Sequence, residues 1–178
     1  MLILSGGMFP GDEILPDVPM VYDRKAVIDS HVDHVWPWLV QLGKNRAGWY
    51  LPWILERWLP QRMRALRTIR SEYQSLSVGE RVSDYGGRDD YLEVASLHPT
   101  KHIVYVTERF GTRFTWAIIL TPSGSHSTEV HLRFRGAIRS EGWRRRLIVA
   151  VGDFADWATT RPMLSGLAER AATNGRTV

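Results

Sequence analysis

Between Glu80 and Ala137 apolar and polar residues alternate with a period of two through five successive runs, near Glu80 to Ser83, Tyr91 to Leu97, Ile103 to Glu108, Arg113 to Thr121 and Thr128 to Ala137. Only short, turn-rich connections separate them. Successive side chains of a strand point to opposite faces, so this pattern predicts an antiparallel meander with at least one dry face. In the fourth run Phe114, Trp116, Ile118 and Leu120 share a face opposite Arg113, Thr115 and Thr121. In the fifth, Val130, Leu132 and Phe134 oppose Glu129, His131, Arg133 and Arg135. After Glu141 the period changes. Leu147, Val151, Phe154, Ala158, Leu164 and Ala168 recur at helical spacing, which predicts a long amphipathic C-terminal helix with a bend at Pro162.

The segment before the meander is punctuated differently. Residues 1–19 hold Gly6, Gly7, Pro10, Gly11, Pro16 and Pro19 without periodicity and read as an irregular arm. Tyr22 to Ile28 suits a strand, and Ser30 with Asp33 has the spacing of a capping box opening a helix to about Leu42, with Pro37 inside and Gly43 as its C-cap. Pro52 starts a second helix carrying Trp53, Ile54, Leu55, Trp58 and Leu59, and Pro60 ends it. Arg62 to Arg70 sets Met63, Leu66 and Ile69 three apart with arginines between, the pattern of a third helix. One strand, two or three short helices, five more strands and a long helix make an α+β architecture. A sheet of this size twists and curls, and one helix across its concave face leaves space at the ends.

Composition bounds what such a fold can do. The chain has 178 residues, of which 44% are apolar and 24% charged, the balance of one globular domain at residues 20–172 with a disordered tail at 173–178. With no cysteine, thiol nucleophiles, disulfides and iron–sulfur clusters are excluded. The N-terminus lacks a basic region followed by an apolar core, and no apolar run reaches membrane-span length, so no transmembrane segment is expected and the default location is cytoplasmic. The formal charge of +4 comes mainly from arginine, clustered at Arg62, Arg64, Arg67 and Arg70 and again at Arg144, Arg145 and Arg146. A solvated helix face and an anion-attracting patch both fit such clusters. Of eight tryptophans, five lie between Trp36 and Trp58. Each ring adds apolar area and a donor that needs a partner.

Candidate chemistry is sparse. Arg46, Trp49 and Tyr50 either present a guanidinium and a phenol to a cavity or are structural, with Arg46 paired to Glu56. Glu108, Arg109, Asp153 and Asp156 lie near apolar residues, where an in-pocket carboxylate would serve as general acid or base and an exposed one would only form salt bridges. His31 and His34 are three apart, without further ligands at metal-site spacing, and read as helix-start or surface residues, as do His98, His102, His126 and His131 in turns or strands. Tyr85-Gly86-Gly87-Arg88 with Asp89 and Asp90 reads as a hairpin turn. No metal, nucleotide or other cofactor is expected.

Val35-Trp36-Pro37-Trp38-Leu39-Val40-Gln41-Leu42-Gly43, then Arg46-Ala47-Gly48-Trp49-Tyr50 and Glu56, resemble the START-like (SRPBCC) superfamily in its polyketide cyclase/dehydrase-like branch. Ile69, Glu72-Tyr73-Gln74, Leu76 and Val78-Gly79-Glu80-Arg81-Val82 extend the likeness, which covers roughly residues 20–172. Leu51-Pro52-Trp53 and Pro162 depart from it. The resemblance implies a helix-grip fold, a curved antiparallel sheet wrapped around the C-terminal helix, and a hydrophobic or amphipathic small molecule, lipid-like or aromatic and polyketide-like, in an internal cavity. Arg46, Trp49, Tyr50, Trp53, Tyr105, Trp116, Phe134, Phe154 and Trp157 are the expected ligand-binding residues. Three readings stay open: a carrier or sensor, a cyclase or dehydratase using an in-pocket carboxylate or the Tyr50 and Arg46 pair, and a module in which Trp143 and its neighbouring arginines meet an anionic membrane or nucleic acid. Nucleic acid is not the expected partner, and composition leaves the oligomeric state undetermined.

Overall fold

The computed structural model describes residues 8–174 except Gly86, Arg88, Asp89 and Phe110. Residues 1–7, three residues of the hairpin turn and 175–178 of the tail expected at 173–178 thus lie outside the described residues, while Thr173 and Asn174 are helical. The elements are β1 (Met20–Ile28), α1 (Val32–Val40), α2 (Trp53–Glu56), β2 (Arg81–Ser83), β3 (Tyr91–His98), β4 (His102–Arg109), β5 (Thr112–Pro122), β6 (Thr128–Gly136) and α3 (Gly142–Asn174). The six strands form one antiparallel sheet in the order β1-β6-β5-β4-β3-β2. Strands β2 to β6 are therefore a meander, and β1 closes its far edge.

Register turns the alternating pattern into two surfaces. On the concave face Tyr22 lies opposite Phe134, Phe134 opposite Trp116, Trp116 opposite Tyr105 and Tyr105 opposite Val94, one row crossing five strands. Such cross-strand pairs are the unit of sheet stabilisation. Tyr105 and Trp116 stack at 5.8 Å, while Phe114 and Phe134 stack at 5.4 Å. Beneath one end of the row, α1 contributes Val35, Trp38 and Leu39 to the main core.

The convex face, which carries the more polar set of alternating residues, is also covered. Residues of the N-terminal arm lie on it, with Leu15 buried and the Phe9 ring edge-on to His131 at 4.9 Å. Asp12 receives Arg133 Nε at 2.8 Å and Arg135 Nη1 at 2.9 Å, and Arg135 Nη2 donates to the Leu15 carbonyl at 2.7 Å. Outward-facing Thr115, Ala117, His131 and Arg135 are consequently buried. Buried guanidiniums hold the arm because each finds a carboxylate or carbonyl partner there.

Local predictions are revised at three places. The cap of α1 is His31, whose Nδ1 accepts from the Asp33 amide, and its C-cap is Gln41; Gly43, at φ 140°, instead turns the chain towards Gly48. The helix expected over 62–70 is a single 3₁₀ turn, Gln61–Met63. Arg64 and Arg70 are extended and the chain between them bends without forming a helix, because Leu66 N donates to Ala47 O at 2.7 Å and Gln41 bridges Thr68 O and Arg70 N. Pairing with the 41–47 segment outweighs the weak helical propensity of a short run. Met63 is exposed, whereas Ala65, Leu66 and Ile69 meet the core.

The third revision concerns α3. Its C-terminal half buries Thr160, Met163, Leu164, Leu167, Arg170 and Ala171. In its N-terminal half Leu147, Val151 and Phe154 face outward, not inward as their spacing suggested. The residues towards the sheet there are small or polar, Gly152, Ala155, Asp156 and Thr159. Phe154 and Gly152 point about 200° apart on a helix of 3.6 residues per turn. Gly152 is required by contact, because a Cβ there would sit 2.5 Å from the Tyr22 hydroxyl.

Candidate functional site

A groove runs between the concave aromatic row and the small-residue side of α3. One lobe, of about 360 Å³, is lined by Met20, Tyr22, Phe114, Phe134, Gly152, Ala155, Asp156 and Thr159. A second, of about 190 Å³, lies deeper along the sheet between Trp116, Leu92, Thr107 and Phe134 on one side and Asp156, Thr159 and Thr160 on the other. Its mouth is set by Trp49, Tyr85, Asp84 and Arg109. The groove exists because α3 puts no large side chain against Phe134 and Trp116.

Its polar groups are few and placed by pairing. Tyr22 donates its hydroxyl to Val149 O at 2.6 Å, and burial pushes that hydroxyl up to about 12. Trp49 Nε1 donates to Thr159 O at 3.4 Å, fastening the Trp49 loop to α3. Arg109 pairs with Asp84 and lies 3.7 Å from Asp90, and burial pulls its guanidinium below the ordinary value. Arg24 on β1 reaches across to both Asp153 and Asp156 of α3, its Nε 3.1 Å from Asp156 Oδ2. That contact lacks hydrogen-bond alignment, leaving Arg24 Nε and Asp156 Oδ2 buried and unbonded among the described residues. Burial pushes the Asp156 carboxyl up from 3.8 to about 6; Asp153 and Asp23 add to the rise and Arg24 opposes it.

Raising a carboxyl pKa on folding costs stability where that group is ionised. For Asp156 the penalty is absent below the unfolded value of 3.8 and complete above about 6. Asp156→Asn is therefore expected to gain stability relative to the native chain as pH rises across that window. Urea unfolding at both ends measures it. A stability difference independent of pH would contradict the assignment.

The residues named from the sequence occupy three environments. Trp116 and Phe134 line the groove and Trp49 guards it, with Tyr105 fully buried beneath Trp116. Tyr50 is enclosed in the core, donating to Trp38 O at 2.7 Å under the Arg170 guanidinium, and burial pushes its hydroxyl above the ordinary value. Trp53, Phe154 and Trp157 lie outside the groove: Trp53 is 50% exposed beneath Arg64 and Arg67, Phe154 faces outward, and Trp157 borders a separate depression along β1. Arg46 is structural, but its carboxylate is Glu80 at 3.0 Å rather than Glu56, with Tyr73 O at 2.7 Å. Glu56 is taken by Arg170 and Arg67.

Of the titratable candidates, Glu108 is exposed and Asp153 is half-exposed at its Arg24 pair, while Asp156 and Arg109 line the groove. Asp84 and Thr159 complete it without having been singled out, because nothing in their local sequence separates them from ordinary turn and helix residues. His131 pairs with Asp23 at 2.6 Å on the convex side; burial raises the Asp23 pKa, but Arg133 first and His131 after it together outweigh burial and hold the carboxyl below its ordinary value. Among the described residues no cluster of three histidine, aspartate or glutamate side chains is arranged to hold a metal ion.

Solved structures share the fold of this chain. A protein from Mesorhizobium loti aligns with 89% of this chain and 98% of its own at a TM-score of 0.51 and 18% identity. Norcoclaurine synthase from Thalictrum aligns over 87% of this chain and 95% of its own, at 0.53 and 12%. An HSP90 activator from Plasmodium falciparum aligns over 82% and 91%, at 0.51 and 15%. This is the helix-grip fold. No protein-family model matches the sequence, and no curated protein does. An enzyme and an activator of another protein on one helix-grip scaffold show that function must be argued from the groove.

Proposed function

We propose that this helix-grip chain, a START-like protein of the polyketide cyclase-like kind, binds a hydrophobic or amphipathic small molecule, lipid-like or aromatic, between α3 and the concave face, as a carrier or sensor. The observation that carries the reading is the unfilled contact between Phe134 and Trp116 on the sheet and Gly152, Ala155 and Thr159 on the helix. Ligand sites are mostly apolar concavities with a few convergent polar groups, here Asp156, Thr159 and Arg109. Trp49, Tyr105, Trp116 and Phe134 form or back its wall; Arg46 and Tyr50 hold the loop that carries Trp49.

Titration with anilinonaphthalene sulfonate, an amphipathic aromatic probe, is expected to quench tryptophan emission saturably. Ala155→Trp, which fills the groove from the helix side, is expected to weaken that binding about tenfold or more, the scale of one lost apolar contact surface. Native mass spectrometry of protein prepared without detergent is expected to retain a copurified small molecule. Quenching that never saturates, or that Ala155→Trp leaves intact, would refute the proposal.

One observation favours a second reading, catalysis on such a ligand: Asp156 is a groove carboxyl whose pKa is moved to about 6, near the range where a carboxylic acid both gives and takes protons at neutral pH. Conversion of a bound ligand that Asp156→Asn stops without weakening probe binding would establish it.

A further inference from the structure

The N-terminal half of α3 carries its apolar residues on the wrong side for a protein core. Trp143, Leu147, Val151 and Phe154 are 70%, 54%, 59% and 67% exposed, and at helical spacing they form one stripe opposite the groove. From Trp143 to Phe154 the stripe is about 16 Å long. Large apolar side chains grouped this way mark a surface that something covers.

The surrounding charges say what. Arg144 and Arg146 emerge on the two flanks of the stripe and Arg145 behind it, with Arg139 just before the helix, against the one acid Glu141. All four arginines are exposed and none forms an ion pair among the described residues; Arg144 lies over the Trp143 ring at 5.7 Å. Asp153, the next acid along the helix, is already engaged by Arg24. A parallel second copy would set two arginine triplets against each other, and an antiparallel one centred on the stripe would set Arg144 opposite Asp153, which Arg24 already engages, so a second copy brings no free acid to the arginines. An apolar stripe of Trp, Leu, Val and Phe edged by arginine suits the boundary between acyl chains and anionic headgroups.

We infer that the Gly142–Ala158 half of α3 docks in the plane of an anionic phospholipid surface, with Trp143, Leu147, Val151 and Phe154 in the acyl boundary and Arg144 and Arg146 at the headgroups. The helix lies on the membrane; no helix of the described residues is long and apolar enough to cross one. This docking uses the face of α3 opposite the groove and does not depend on what the groove holds.

Sedimentation of the full chain with sucrose-loaded phosphatidylcholine vesicles, with and without phosphatidylserine, tests it. Partition onto the phosphatidylserine vesicles is expected to exceed that onto neutral ones and to fall with added salt, with a blue shift of tryptophan emission. Replacing Arg144, Arg145 and Arg146 together by glutamine is expected to weaken partition about a hundredfold, near fivefold per basic residue at an anionic surface. Leu147→Ser with Phe154→Ser is expected to weaken it at least about tenfold while leaving salt dependence in place. These side chains are exposed, so circular dichroism should show both variants folded. Equal partition onto the two vesicle types, or none, overturns the inference. A soluble dimer that the serine pair dissolves, with vesicles unbound, assigns the face to a second copy and overturns it equally.

Discussion

Arg170→Ala is expected to remove about 3–5 kcal/mol of folding stability, the scale on which breaking a buried, fully bonded ion pair destabilises a protein. Arg170 is 1% exposed, as is its carboxylate partner. Its Nη2 donates to Glu56 Oε1 at 2.6 Å, its Nε to Leu66 O at 2.9 Å, and its Nη1 to Leu51 O and Gly166 O at 3.0 Å. The guanidinium also lies over the Tyr50 ring at 4.6 Å. One side chain thus ties α3, α2, the 51 segment and the 66 segment together. Alanine would leave the Leu51 and Leu66 carbonyls and one Glu56 oxygen buried without their donor, each costing roughly 1–3 kcal/mol.

Glu56 separates this from simple loss of packing. Its Oε2 also accepts from Arg67 Nε and Nη2, at 3.1 and 2.9 Å, so it keeps one partner when Arg170 is gone. The double variant Arg170→Met with Glu56→Leu removes both charges and keeps apolar volume, and is expected to be more stable than Arg170→Ala alone. Urea unfolding followed by circular dichroism measures all of these. A loss below about 1 kcal/mol for Arg170→Ala would mean that water replaces the guanidinium and that the cluster is not the closed unit its geometry indicates.

This clamp illustrates what the amino-acid order discloses and what it withholds. Strands β2 to β6 were legible because each alternates over enough residues to define a face, and adjacent antiparallel runs with short turns have one simple pairing. The register that brings Tyr22, Phe134, Trp116 and Tyr105 into a row then follows. Glu56 was legible as an ion-pair member in type only: Arg46 is close in sequence, yet the partners are Arg67 and, at a separation of 114, Arg170. The arm's grip on Arg133 and Arg135 is equally long-range, and no local pattern marks it. On α3, periodicity gives the phase of the apolar stripe but not its direction. Leu147, Val151 and Phe154 have core spacing and face outward, so the cavity wall that Phe154 is expected to join is made on this helix by Ala155, Asp156 and Thr159 instead. The groove's polar residues were partly visible, since Asp156 and Arg109 stood out as charges beside apolar neighbours; only the fold separates them from Asp153 and Glu108.

Gly166→Val is expected to give the second large loss, about 3 kcal/mol or more, the upper range for forcing volume into a closed contact. A Cβ at Gly166 would lie 2.6 Å from the Leu51 carbonyl carbon and 2.7 Å from its nitrogen and oxygen. The obstruction is backbone rather than a movable side-chain end. It is also held from both sides, because Leu51 O accepts from Arg170 and the nearby Trp53 amide donates to Glu169 at 2.8 Å. Valine must therefore push the 51 segment off α3 and break those bonds, so its effect and that of Arg170→Ala should be less than additive in a double-mutant cycle. Gly166→Ala should lie between glycine and valine, since helix propensity favours alanine by only about 1 kcal/mol while the steric contact is the same at its first carbon. The variants also divide the helix by function. Thermal melts should show Gly166→Val destabilising the chain, whereas Phe154→Ser, twelve positions earlier on the exposed stripe, should leave the melting temperature nearly unchanged. That contrast would place the fixed end of the grip at Gly166 to Arg170 and leave the half of α3 over the groove held mainly by Tyr22, Arg24 and Trp49. Comparable losses from both substitutions would mean instead that the whole helix is clamped as one piece.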